Sequence, residues 1–175
     1  LGTTTGPASW ITVLYPYDTS TNVTVEAIPF SLGTKTYQPS DYHRPANVIA
    51  VNLPDDSKDI HVTCKQGSGG DATVAFVVAG HAMQVRGSQA SFHLAAGSTT
   101  PTQVLARDLI SLQVDGSSWI SIEGTTIAII DAGLDYVSLG MAAGTGACTI
   151  IVNGTVLSQA KHSRAENCVN VDLMA

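Results

Sequence analysis

A chain of 175 residues that is 44% hydrophobic and only 13% charged is long enough for one domain with a sizeable core. Eight Lys and Arg against 14 Asp and Glu leave a formal charge of −6, which argues against a binder of nucleic-acid phosphates or of anionic lipid. No run of about 18 apolar residues occurs, so no segment reads as a membrane-spanning helix.

The opening Leu1-Gly-Thr-Thr-Thr-Gly-Pro-Ala-Ser9 is small, uncharged and Thr-rich, and does not start with Met. It reads as the mature amino terminus of an exported protein or as a linker arm over 1–9. From Trp10 onward the periodicity is that of strands. Trp10–Tyr15 alternates up to Pro16, Val23–Ile28 up to Pro29, and Val48–Leu53 up to Pro54. Ile60, Val62 and Cys64 share one face, with His61 on the other. Ala72–Ala79 is almost wholly apolar, as in a strand covered on both sides. Gln89–Leu94 turns Phe92 and Leu94 inward and His93 outward. Ile110–Val114, Ile120–Glu123 and Tyr136–Met141 alternate in the same way, and Cys148–Val152 and Val169–Leu173 close the series. Turn chemistry separates the runs at Gly67–Asp71, Arg86-Gly-Ser, Asp115-Gly-Ser-Ser and Glu123-Gly-Thr-Thr. Val152-Asn-Gly-Thr155 is the strongest hairpin signal, because Asn153 and Gly154 both accept the positive φ of a type I′ turn. Gln159–Asn167 reads as a polar loop or a single helical turn. The pattern predicts an all-β chain, an antiparallel β-sandwich or jelly roll of about a dozen short strands, forming a single domain over 1–175.

Chemistry-bearing residues are sparse. Gly33–Pro45 gathers Tyr37, Tyr42, His43 and Arg44 and reads as a long loop, where binding commonly sits on a β scaffold. Trp10, Tyr17, Tyr37, Tyr42, His43 and Trp119 are the candidates for carbohydrate contact by stacking and hydrogen bonding, with core packing as the competing role of the two Trp. By strand parity Cys64 and Cys148 point inward, as a disulfide pair or as buried thiols, while Cys168 faces outward or sits in the loop. Asn22-Val-Thr and Asn153-Gly-Thr are glycosylation sequons if the chain is exported. The five His lack metal-ligand spacing, and Asp55–Asp59 reads as a plain turn, so no metal or cofactor is expected. No nucleophile elbow, phosphate loop or dinucleotide fingerprint occurs, so no catalytic residue is assigned.

The phrase Ser9-Trp-Ile-Thr-Val-Leu-Tyr-Pro-Tyr17 resembles one in heparinase II/III-like polysaccharide lyases. Asn47–Val51, Gln89–Gly97, the pair Ile110–Val114 and Trp119–Ile122, and the hairpin Ile151–Val156 follow in a similar order. The resemblance implies the carboxy-terminal β-sandwich of such an enzyme, whose catalytic Tyr and His belong to a toroid that has no counterpart in these residues. The expectation is therefore a non-catalytic, secreted or cell-surface module of a polysaccharide-lyase-like protein, in contact with polysaccharide or a catalytic domain. The alternative is a secreted structural subunit of a fibre, pilus or surface layer that joins copies of itself by strand addition.

Overall fold

The computed structural model describes residues 23–41, 43–64, 72–130, 133–141, 145–158, 162–165 and 167–174. In chain order its strands are β1 (Thr24–Ala27), β2 (Phe30–Leu32), β3 (Lys35–Tyr37), β4 (Ala46–Asn52), β5 (Lys58–Cys64), β6 (Thr73–Val78), β7 (His81–Leu94) and β8 (Gln103–Val114). They continue with β9 (Ser117–Glu123), β10 (Thr126–Ile129), β11 (Tyr136–Gly140), β12 (Thr149–Val152), β13 (Thr155–Val156), β14 (His162–Ala165) and β15 (Cys168–Asp172). No helix occurs among the described residues. The fold is all-β, as the alternation implies.

One hairpin organises everything else. Strand β7 is 14 residues long and β8 is 12, and they pair with each other from Met83↔Val114 to His93↔Gln103. Their register slips between Arg86 and Gly87, opposite Leu109. The slip changes which face is buried: Met83 and Val85 point inward before it, Ala90, Phe92 and Leu94 after it. It also changes the neighbours. His81–Arg86 pairs with β6, whereas Gln89–Leu94 pairs with β5. On the other side, Gln103–Arg107 pairs with β11 and Ser111–Val114 with β9. The hydrogen-bonded sheet is thus split into a front layer, β1-β4-β5-β7-β8-β11-β15-β14, and a back layer, β3-β2-β6-β7-β8-β9-β10-β12-β13.

The two layers face each other. A straight strand of this length would hold His81 about 40 Å from the tip of its own hairpin at roughly 3.3 Å per residue. Instead His81 Nε2 lies 3.1 Å from Thr99 Oγ1 in the tip loop, so the hairpin doubles back on itself. Side chains of both layers then share one core, with Ile60, Phe92, Val137 and Val169 from the front and Phe30, Phe76, Met83, Ile120, Ile127 and Ile150 from the back. Such mutual burial of two inner faces is what stabilises a sandwich. A bulge is the usual device by which a strand turns the corner between layers. Gly87 allows it, because a Cβ there would lie 2.8 Å from the Asp108 carbonyl oxygen and 2.9 Å from Leu109 Cα.

Several expectations are corrected. The sheet is mixed, with β8/β11 and β10/β12 running parallel. Arg86-Gly-Ser lies inside a long strand, where the register skips Ile110 of β8, and not at a turn between short strands; the flanking alternation continues in opposite phase. Much of the expected loop Gly33–Pro45 is hairpin: β2 and β3 pair from Phe30↔Tyr37 to Leu32↔Lys35. The polar segment Gln159–Asn167 contributes β14, paired to β15. The type I′ turn is present as expected, with φ of 49° at Asn153 and 80° at Gly154 joining β12 to β13.

Candidate functional site: the outer face of the front layer

Register places the outward positions of five front strands in rows. One row runs Asp59, His93, Gln103, Tyr136, Asp172 across β5, β7, β8, β11 and β15. The next runs His61, Ser91, Leu105, Ser138, Asn170. Between these residues along the strands stand buried apolar ones: Ile60, Phe92, Val104, Val137 and Val171. Strict alternation therefore delivers all the polar groups to one surface.

Within the rows the side chains are tied in pairs. His93 Nδ1 lies 2.8 Å from Asp59 Oδ1, and His61 Nδ1 lies 2.8 Å from Ser91 Oγ. Asn170 Oδ1 accepts from the Tyr136 hydroxyl at 2.9 Å and from Ser138 Oγ at 2.7 Å. These donors hold the side-chain carbonyl in place. Cys168 Sγ sits beside the same group, 3.4 Å from Ser138 Oγ. Leu105, 47% exposed, is the apolar centre of the second row. Asp59, His61, Ser91, His93, Tyr136, Ser138 and Asn170 thus offer donors and acceptors that are half-buried and held by a neighbour. Such a surface can bind a polar ligand through many hydrogen bonds.

Of the residues expected to contact sugar, Tyr37 and Trp119 are described in the back layer. Trp119 is 6% exposed and belongs to the core of the back layer, so it has no free face for stacking. It lies at an irregularity of the β8/β9 ladder, between the Ile120↔Leu112 and Ser118↔Gln113 pairs, beside the buried Ile120. Tyr37 also lies in the back layer, with its ring stacked on Phe30 at 5.1 Å and the Lys35 ammonium 4.7 Å from its centroid. Its ring is engaged in packing and is not a vacant platform. His43 is exposed, in the connection between β3 of the back layer and β4 of the front layer. Trp10, Tyr17, Tyr42 and Asn22 lie outside the described residues. Asn153 is exposed at its hairpin tip.

Cys64, Cys148 and Cys168 form no disulfide, so the bond considered between Cys64 and Cys148 is not made. Cys64 ends β5 in the front layer opposite Ala46, while Cys148 leads into β12 of the back layer. Burial against the core pushes the Cys64 thiol above its ordinary value. Cys168 faces outward, in keeping with its parity against Val169 and Val171. The Asp55–Asp59 segment is a tight turn in which Asp55 Oδ1 accepts from the Ser57 hydroxyl at 2.6 Å and its amide at 3.1 Å. These bonds, the hydroxyl first, hold the Asp55 carboxyl below its usual range. Among the described residues no group of three His, Cys, Asp or Glu is placed to hold a metal ion.

Sequence reasoning missed the paired rows. The partners are 30 to 34 residues apart in the chain: His61 with Ser91, Asp59 with His93, Tyr136 with Asn170. The outward phase of His61 and His93 was the one signal present, and it names no partner. No protein-family model, curated protein or solved structure matches the chain.

Proposed function

We propose that this chain is an extracytoplasmic β-sandwich module that contacts carbohydrate through the outer face of its front layer. The observation carrying this reading is the pair of cross-strand rows in which imidazole, hydroxyl, amide and carboxylate groups are pre-positioned by one another. A polysaccharide presents vicinal hydroxyls that both donate and accept, and a fixed array of this kind meets them without reordering its own side chains. Leu105 supplies an apolar spot for a pyranose face. The face carries Asp59 and Asp172 against Arg107, in a chain of charge −6, which favours a neutral glycan over a polyuronate.

Gel retardation against neutral and acidic polysaccharides tests it. Retardation by a neutral glycan is expected, with Asn170→Ala and His61→Ala each weakening it by roughly five- to tenfold, the worth of one or two hydrogen bonds. Unchanged mobility in every gel would end the reading.

A second reading rests on the edge of the front layer. Strand β1 exposes Thr24, Val25 and Glu26 and pairs with β4 alone among the described residues. Such an edge suits strand addition between copies in a secreted fibre or surface layer. Elongated polymers in electron micrographs would favour it, and a monodisperse monomer would remove it.

A further inference from the structure

The doubled-back hairpin brings together three side chains that no local motif connects. His81 begins β7, Asp115 follows β8, and Thr99 lies in the loop between the two strands. Asp115 Oδ2 is 2.5 Å from His81 Nδ1, and His81 Nε2 is 3.1 Å from Thr99 Oγ1. The second oxygen, Asp115 Oδ1, accepts the Ala82 amide at 2.9 Å, while the Asp115 amide donates to the Ala82 carbonyl at 2.8 Å. The carboxylate is therefore fixed from two sides before it meets the imidazole. Asp115 takes a φ of 50° at the head of an Asp-Gly turn, which aims its side chain across the hairpin.

The order carboxylate, imidazole, hydroxyl has a chemical consequence. An ionised Asp115 accepts the proton on Nδ1, so Nε2 keeps its lone pair and faces the Thr99 hydroxyl. The hydrogen bond from His81, followed by the Ala82 amide, holds the Asp115 carboxyl below its ordinary range, which keeps it ionised at neutral pH. This is the connectivity by which a histidine base activates an alcohol for acyl transfer. Thr99 is exposed and the His81 side chain is 26% exposed, so a small or projecting ester can reach the hydroxyl.

We propose that Thr99, His81 and Asp115 form an acyl-transfer relay, in which Thr99 accepts the acyl group of a small ester. Thr99 Oγ attacks the ester carbonyl carbon while His81 Nε2 takes the hydroxyl proton. The bond from that carbon to the leaving oxygen then breaks, and the proton on Nε2 passes to the leaving group as an alcohol or phenol. The product is an acyl-Thr99 ester, which water returns to the free hydroxyl with His81 again as base. Thr99 and His81 touch the reacting atoms, and Asp115 is a positioning residue that sets the tautomer of His81. The proposal is independent of the carbohydrate face, which lies on the outside of the front layer.

The test is incubation of the whole chain with p-nitrophenyl acetate, followed by intact mass and peptide mapping. One acetyl group on Thr99 is expected. His81→Ala should slow its appearance at least tenfold, within the range of general-base contributions. Thr99→Ser should keep the labelling and Thr99→Val should abolish it; both lie in an exposed loop, and unchanged melting temperatures verify that they fold. Asp115→Asn should slow acetylation even where thermal unfolding still occurs as a single transition. Acetate found on His81 or on lysines but not on Thr99 would overturn the proposal, as would equal labelling of wild type and His81→Ala. A Thr99→Ser variant no more reactive than Thr99→Val would do the same and would leave the cluster as a clamp between two turns.

Discussion

Gly87 is the point at which the sandwich can be tested with one methyl group. A Cβ added there would stand 2.8 Å from the Asp108 carbonyl oxygen and 2.9 Å from Leu109 Cα, both backbone atoms of the partner strand. Ordinary contacts of a Cβ begin at 3.4 Å, so β8 would have to retreat by about half an ångström at the bulge. It has little room to do so, since Leu109 is 5% exposed and Asp108 already sits at a φ of 50°. Overpacking of this kind costs about 1–3 kcal/mol, and the φ of 157° at Gly87 adds to it for a residue with a side chain. A total of about 3 kcal/mol for Gly87→Ala corresponds to a drop of roughly 6–12 °C in a domain of this size. Thermal unfolding followed by circular dichroism measures it. Gly140→Ala is the control: its Cβ would meet Arg107 Cγ at 3.5 Å, the stem of an exposed side chain, and it should melt within about 2 °C of wild type. If Gly87→Ala melted as high as Gly140→Ala, the bulge would not be the fixed corner of the sandwich.

Other consequences can be checked independently. Phe92→Ala removes a side chain that is 1% exposed in the shared core and should lower stability by about 3–5 kcal/mol in urea titration. Trp119→Phe should lower stability while leaving glycan retardation unchanged, because the indole lies in the core. The Asp115 carboxyl is held below its ordinary value near 3.8, chiefly by His81, so its contribution is present above that pH and is lost as pH falls through the lower folded value. The melting temperature of wild type should therefore fall between about pH 5 and pH 2, and that of Asp115→Asn should fall less over the same interval. Alkylation in denaturant without reductant should modify all three Cys, and in the native protein Cys64 should react more slowly than the same residue in denaturant, since burial both shields it and disfavours its thiolate. A mass showing an intact disulfide would contradict this.

Much of the fold was legible in local pattern. Ile60, Val62, Val137, Leu139, Val169 and Val171 are all buried, as their alternation requires, and Asn153-Gly154 makes its hairpin. Period-2 patterning is enforced by the backbone itself, which is why it survives in the sequence. What misled was a change of phase. Arg86-Gly-Ser carries the composition of a turn, and only the continued pairing with β8 on both sides shows that the strand passes through it. Trp119 was ambiguous for a different reason: an aromatic ring suits a core and a sugar platform equally well, and composition around it does not decide.

The functional candidates lay further from reach. Outward phase marked His61 and His93 as surface residues, yet their partners Ser91 and Asp59 are set by the β5/β7 register, which depends on hydrogen bonds between segments some 30 residues apart. The Thr99–His81–Asp115 cluster is more remote still, because it exists only when the ends of one hairpin meet. Sequence by itself determined the strands, their inner faces and the tight turns, since those follow from side-chain alternation and from which residues accept positive φ. Tertiary structure decided the corner at Gly87, the split of one sheet into two layers, and every polar grouping on the surface. Those depend on how distant strands pair and where a bulge reverses the pleat, and neither quantity is carried by any short stretch of the chain.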